Sequence, residues 1–102
     1  MSLLIRKGLL PDVKPLVKLI NDYASQGIML PRTEFELAEN VRDFTVALVD
    51  GEVAGCGALH FYGLRTGEVR SLAVRPDRKQ LGIGRKLVES LEAEGLAHGL
   101  IS

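Results

Sequence analysis

Two stretches of this chain, Phe44–Val49 and Val53–Tyr62, are apolar or β-branched at nearly every position, and Asp50-Gly51 sits between them. Asp-Gly is a favoured pair for a two-residue hairpin turn, because both positions of such a turn need positive φ. A strand with one solvated face alternates polar and apolar residues. Strands that are apolar throughout are covered on both faces. The chain must therefore build around a central antiparallel hairpin with helices on either side.

The other elements arrange themselves around that hairpin. Leu3 to Arg6 is a short apolar run ahead of Gly8 and predicts a first strand. After Pro11-Asp12, apolar residues recur at Val13, Leu16, Val17, Leu19 and Ile20, the spacing of a helix with one buried face. Pro15 is tolerated in its first turn, and Gly27 closes it. Pro31 biases Leu30 toward extended backbone. Thr33 followed by Glu36 forms a capping-box pair and predicts a short helix over about Glu34 to Asn40. Glu68 to Arg75 predicts a fourth strand, stopped by Pro76-Asp77. From Gly82 to about His98, the residues Ile83, Leu87, Val88 and Leu91 mark one helical face. Gly95 within it costs about 1 kcal/mol relative to alanine. Gly99 is the expected cap, and Leu100-Ile101 the expected start of another strand. The order is β-α-α-β-β-β-α, an α/β (or α+β) class with a mixed, mostly antiparallel sheet covered by helices.

The chain has 102 residues, which suits a single domain, so 1–102 is taken as one unit. Thirteen basic and thirteen acidic residues give zero formal net charge, a poor design for coating nucleic acid or an anionic membrane. No apolar run reaches the roughly 20 residues that a bilayer span needs. The single cysteine, Cys56, permits no internal disulfide and fits a reducing, cytoplasmic setting. Two histidines and one cysteine, scattered along the chain, do not make a metal site.

The informative stretch joins the fourth strand to the last helix: Arg75-Pro76-Asp77-Arg78-Lys79-Gln80-Leu81-Gly82-Ile83-Gly84. A helix N-terminus presents unpaired N–H groups and a partial positive charge. Gly82 and Gly84 lack the Cβ atoms that would keep a phosphate away from the backbone. Arg75, Arg78, Lys79, Arg85 and Lys86 concentrate positive charge there in a chain whose net charge is zero. A diphosphate cradle is the reading. A nucleotide-triphosphate loop would need Gly-Lys-Ser/Thr, but Arg85-Lys86-Leu87 follows Gly84. A dinucleotide fingerprint would need a third glycine where Leu87 stands.

Val74-Arg75-Pro76-Asp77 followed by Lys79 to Leu87 resembles the acetyl-CoA signature of the GNAT N-acetyltransferases, Arg/Gln-x-x-Gly-x-Gly/Ala. Lys79 stands where Arg or Gln is usual and keeps the charge. Gln80 replaces a residue that is often glycine. Three further blocks, Gly27 to Thr33, Gly55 to Leu59 and Glu68 to Val74, resemble the acetyltransferase domain of N-acetylglutamate synthases, in the same order.

The resemblance implies that Lys79, Gln80, Leu81, Gly82, Ile83, Gly84 and Arg85 hold the pyrophosphate of acetyl-CoA. The main chain of Leu72, Ala73 and Val74 would hold its pantetheine arm and the developing oxyanion. It implies direct transfer of the acetyl group to the α-amine of an amino acid, L-glutamate above all, as in arginine biosynthesis, with no metal. The alternatives are another amine acceptor, or a non-catalytic module that binds acyl-CoA or a partner chain. An α-amine must lose a proton before it attacks, and Glu68 matches the family's carboxylate. Its bland alternative is a pair with Arg70, two positions along one strand face. A dicarboxylate acceptor calls for cations, and Arg32 and then Arg70 are the candidates. Cys56 is expected as a small buried core residue, His60 as a structural or surface one, and His98 as a cation at a helix C-terminus. Family domains continue with a fifth strand and further elements. A domain ending at Ser102 would lack these C-terminal strands and the tyrosine that protonates the leaving thiolate, a position neither Tyr23 nor Tyr62 fills. The exposed edge of the fourth strand then predicts self-association, as a homodimer or otherwise.

Overall fold

A computed structural model describes residues 2–100, apart from the side chain of Gln80. Four strands, β1 (Leu3–Lys7), β2 (Phe44–Val49), β3 (Glu52–Phe61) and β4 (Gly67–Val74), form one antiparallel sheet in sequence order. Three α-helices accompany them: α1 (Val13–Ala24), α2 (Glu34–Glu39) and α3 (Ile83–Ala97). The expected order is observed, with each boundary within about two residues.

Asp50 and Gly51 have φ of 51° and 85° and so make the mirror-image turn that two twisted strands need. Every residue of β2 is buried. On one face of the sheet, Phe44, Val46, Leu48, Cys56 and Ala58 pack against Leu16, Ile20 and Leu37 of α1 and α2. On the other, Ala47, Val49 and Ala54 pack against Ile83 and Leu87 of α3. The helices thus lie on both faces of the central hairpin. Each fully buried large aliphatic side chain contributes roughly 1.5–3 kcal/mol.

Both long helices end the same way. Gly27 (φ 74°) closes α1 through N–H bonds from Gly27 to Ala24 and from Ile28 to Tyr23. Gly99 (φ 95°) closes α3 through bonds from Gly99 to Leu96 and from Leu100 to Gly95. Leu100 consequently caps the helix rather than opening a strand. Ile101 lies outside the described residues. The Thr33 hydroxyl accepts from the N–H of Glu36 at 3.1 Å, as expected of a cap. Glu36 answers by accepting from the same hydroxyl at 3.2 Å instead of from the Thr33 main chain.

Between β1 and α1, Asp12 accepts from both terminal nitrogens of Arg6 at 2.7 and 3.1 Å and from the N–H of Leu9 at 2.7 Å. Burial pushes its carboxyl upward, but these donors outweigh burial and hold it below the usual carboxylate range.

β4 departs from regular pairing at one place. Cys56 pairs with Ala73 and Ala58 with Arg70, so Gly57 faces both Ser71 and Leu72. This is a β-bulge, with Ser71 at φ 53°. A Cβ on Gly57 would meet Leu91 Cδ1 at 2.9 Å and Leu72 Cδ1 at 3.2 Å, so the glycine makes room for the bulge. The buried thiol of Cys56 donates to the Ser71 oxygen at 3.3 Å. Burial pushes that thiol up to about 12, so it stays protonated and fills core space.

Candidate active site

The loop after β4 forms as a 3-10 turn over Pro76–Leu81, and Gly82, at φ 70°, hands the chain to α3. A side chain on Gly82 would meet no atom within 4 Å, so the space before α3 is open. The first backbone bond of α3 runs from Lys86 N–H to Gly82 oxygen at 3.1 Å. The N–H groups of Ile83, Gly84 and Arg85 therefore lack intrahelical acceptors, as helix openings must. Ile83 is fully buried and anchors the turn in the core, while Gly82, Arg85 and Lys86 are exposed. A cradle that a Cβ would narrow, unpaired donors and exposed cations together fit a diphosphate.

The cations divide. Arg75 is taken up by Asp77 at 2.8 Å and Glu52 at 3.6 Å, so it does not serve the cradle. Arg85 stands 3.6 Å from Glu89, both well exposed, which leaves it available. Lys79 Nζ lies 5.4 Å from the centre of the Tyr23 ring. The Tyr23 hydroxyl donates to the Val74 oxygen. Tyr23 thereby ties α1 to the strand end and the loop, a role its sequence position did not reveal. Gln80 belongs to the turn, but its side chain lies outside the described residues. Leu81 packs beside the α3 face core.

Leu72, Ala73 and Val74 close the strand just ahead of this loop. Among the described residues β4 pairs with β3 alone, so the main chain along its other edge is open. Ala73 is buried, Val74 packs toward α3, and Leu72 is 39% exposed. Main-chain groups at these three positions can meet an extended ligand arm.

The opposite half of the site lies on the α1–α2 face. Arg32 and Arg70 come together there, lining one cavity of about 250 Å³ with Asn40, Asp43, Ala58 and His60. Arg32 is held in place by Asn21 of α1, whose side chain accepts from the Arg32 N–H and donates to its oxygen, both at 2.9 Å. His60 Nδ1 lies 3.6 Å from Asp43 Oδ2. Glu68 is the Cα partner of His60 across the β3–β4 ladder. Its Oε1 accepts from Arg70 Nε at 2.7 Å, and both side chains are about half exposed. The pairing weighed from sequence is thus observed, and Glu68 sits at the rim rather than in the cavity lining. A second cavity, of about 570 Å³, lies between α1 and the Asp50-Gly51 turn. Its arginines are committed to Asp12 and Glu52, and Lys18 also lines it. Among the described residues no group of three or more His, Cys, Asp or Glu is placed to hold a metal, and no helix is long and apolar enough to cross a membrane.

Comparison with known proteins gives a consistent result. The family model described as acetyltransferase (GNAT) family matches residues 14–102. An N-acetyltransferase of Chlorobaculum tepidum is 43% identical over 89 residues, covering 87% of this chain and 57% of that protein. An amino-acid acetyltransferase of Ralstonia nicotianae is 35% identical over 97 residues, covering 94% of this chain and 22% of that protein. The chain therefore spans a little over half of the first relative and under a quarter of the second. The structure of N-acetylglutamate synthase from Neisseria gonorrhoeae, complexed with coenzyme A and N-acetyl-glutamate, superimposes with a TM-score of 0.93 at 28% identity. That match covers 98% of this chain and 24% of the synthase.

Proposed function

The chain belongs to the GNAT acetyltransferase family, and on that premise we propose that it transfers the acetyl group of acetyl-CoA to the α-amine of an amino acid, L-glutamate first. The observation that carries the reading is the pairing of two half-sites. An open, donor-rich turn precedes α3 beside Val74 at the end of β4, and an arginine-lined cavity to which β4 contributes Arg70 lies on the α1–α2 face. The synthase of Neisseria gonorrhoeae was seen with coenzyme A and N-acetyl-glutamate, which is the expected pairing of ligands for such a site.

Lys79, Gln80, Leu81, Gly82, Ile83, Gly84 and Arg85 would hold the pyrophosphate, chiefly through the N–H groups that open α3. Leu72, Ala73 and Val74 would hold the pantetheine arm along the open edge of β4 by main-chain bonds, as an added strand does. A main-chain N–H at the bulge is a fixed donor for the oxyanion that forms on attack. Arg32 and Arg70 would take the two carboxylates of glutamate, the planar fork of each suiting that shape. Glu68 stands as the family's candidate for the amine proton. A cytoplasmic setting and a place in arginine biosynthesis follow from the same reading, as does self-association along the edge of β4 ahead of Leu72, where Val69 is exposed.

Steady-state kinetics with acetyl-CoA and a panel of amines test the proposal. Glutamate should be the best acceptor. Arg32→Ala should raise KM for glutamate at least about tenfold, the cost of one lost charge-assisted pair, and leave KM for acetyl-CoA nearly constant. Equal effects on the two substrates would remove Arg32 from the acceptor site.

A further inference from the structure

We propose that His60 receives the proton of the acceptor amine, with Asp43 holding the imidazole in place, and that Glu68 orients Arg70 instead. The inference rests on the acceptor cavity described above. That cavity is lined by His60 and Asp43 as well as by the two arginines, whereas Glu68 stands outside its lining. Histidine is the side chain suited to taking and releasing a proton near neutral pH. One nitrogen, Nδ1, faces Asp43 Oδ2 at 3.6 Å, and Nε2 is the nitrogen left for the amine. When Nε2 takes a proton the ring becomes a cation, and the Asp43 carboxylate stabilises it. At 3.6 Å the carboxylate stands at ion-pair rather than hydrogen-bond distance, so it would act on the ring by its charge.

The charged and polar groups around His60 come from four places in the fold. Asp43 precedes β2, Arg32 lies in the loop between α1 and α2, and Glu68 and Arg70 lie on β4, with Asn40 at the end of α2. The Tyr62 ring centre is 6.5 Å from that of His60. An acceptor whose carboxylates occupy Arg32 and Arg70 would lie in the same cavity as His60. Glu68 is committed to Arg70 Nε at 2.7 Å and fixes that guanidinium across the cavity wall.

The step balances as follows. The bound ammonium gives one proton to His60 Nε2. The neutral amine forms a bond to the thioester carbon, and the carbon–sulfur bond breaks. The second proton lost from nitrogen passes to the leaving sulfur, giving the free thiol. The proton on His60 then leaves to water, since its side chain is 40% exposed.

The test measures kcat and KM on whichever amine the wild-type chain acetylates fastest, with acetyl-CoA binding followed by calorimetry. His60→Ala should lower kcat by about 10²–10⁴-fold, the usual worth of a positioned base, with acetyl-CoA affinity unchanged. Added imidazole should restore part of that kcat, and Asp43→Asn should lower kcat without raising KM. His60→Gln, closer in bulk, serves if alanine weakens the hairpin. Wild-type kcat in both His60 variants overturns the proposal, as does a loss that imidazole does not rescue. A best acceptor other than glutamate, or an Arg32→Ala variant with unchanged acceptor KM, would instead sink the glutamate reading, and the His60 comparison would still be decided on that other amine.

Discussion

The hydroxyl of Tyr23, on α1, donates to the main-chain oxygen of Val74, the last residue of β4. The bond spans 51 residues of sequence and stands immediately before the candidate phosphate turn. Lys79 lies over the same ring. Tyr23→Phe removes the donor and keeps the ring. It should cost about 1 kcal/mol in urea denaturation and weaken acetyl-CoA binding in calorimetry. Unchanged affinity would show that the strand end keeps its place without this tie.

Gly82 combines a left-handed φ of 70° with empty space where a side chain would point. Gly82→Ala should therefore cost about 1–2 kcal/mol from backbone strain alone. Gly82→Glu should cost a similar amount of stability, yet abolish acetyl-CoA binding by placing a carboxylate against the phosphates. Circular dichroism and calorimetry on the two variants separate strain from charge. Equal loss of affinity in both would argue that backbone shape, and not the negative charge, matters there.

Gly57 has no such freedom. A methyl group there would collide with Leu91 and press on Leu72. Gly57→Ala should destabilise the fold by about 1–3 kcal/mol through overpacking. Because Leu72 is one of the two residues facing Gly57 at the bulge, kcat should fall as well. A variant with full activity and lowered melting temperature would uncouple the bulge from catalysis.

Cys56 makes a prediction about pH. Burial raises its folded-state value from 9.0 to about 12, so the folded protein keeps the proton that an unfolded chain releases above about 9. The stabilisation is complete below 9 and is lost as pH rises toward 12. Relative to Cys56→Ala, wild-type stability should decline between pH 9 and 10.5 in urea titrations. A thiol reagent at pH 8 should label Cys56 only in the unfolded protein. A constant difference between the two proteins across that range would contradict the burial argument.

Much of the fold was legible because it rests on local chemistry. Asp50-Gly51 specified a turn with two positive φ angles, Gly27 and Gly99 specified two helix ends, and the unbroken apolar character of β2 implied helices on both faces. The candidate phosphate turn was legible for the same reason, since a strand, a glycine pair and an amphipathic helix are adjacent in sequence. The bulge at Ser71 was not, because it depends on how Gly57, Leu72 and Leu91 pack together. Nor was the meeting of His60 with Asp43, which joins the end of β3 to a short turn without periodicity. His60 was read as a structural or surface residue because no acidic group stood near it in sequence; the fold sets Asp43 3.6 Å from its ring. Arg75 was counted among the cations concentrated at the turn, and its pairing with Glu52 becomes visible only when β3 lies beside β4.

β4 carries one further consequence. Its inner edge is bonded to β3, while its outer edge has no strand neighbour among the described residues. In deuterated water, amides along one short strand should then divide into two populations, those pointing inward exchanging slowly and those pointing outward quickly. Any extended molecule seated along that edge would slow the second group and leave the first nearly untouched. A few amides between Glu68 and Val74 would thus report occupancy of the site without any turnover being measured.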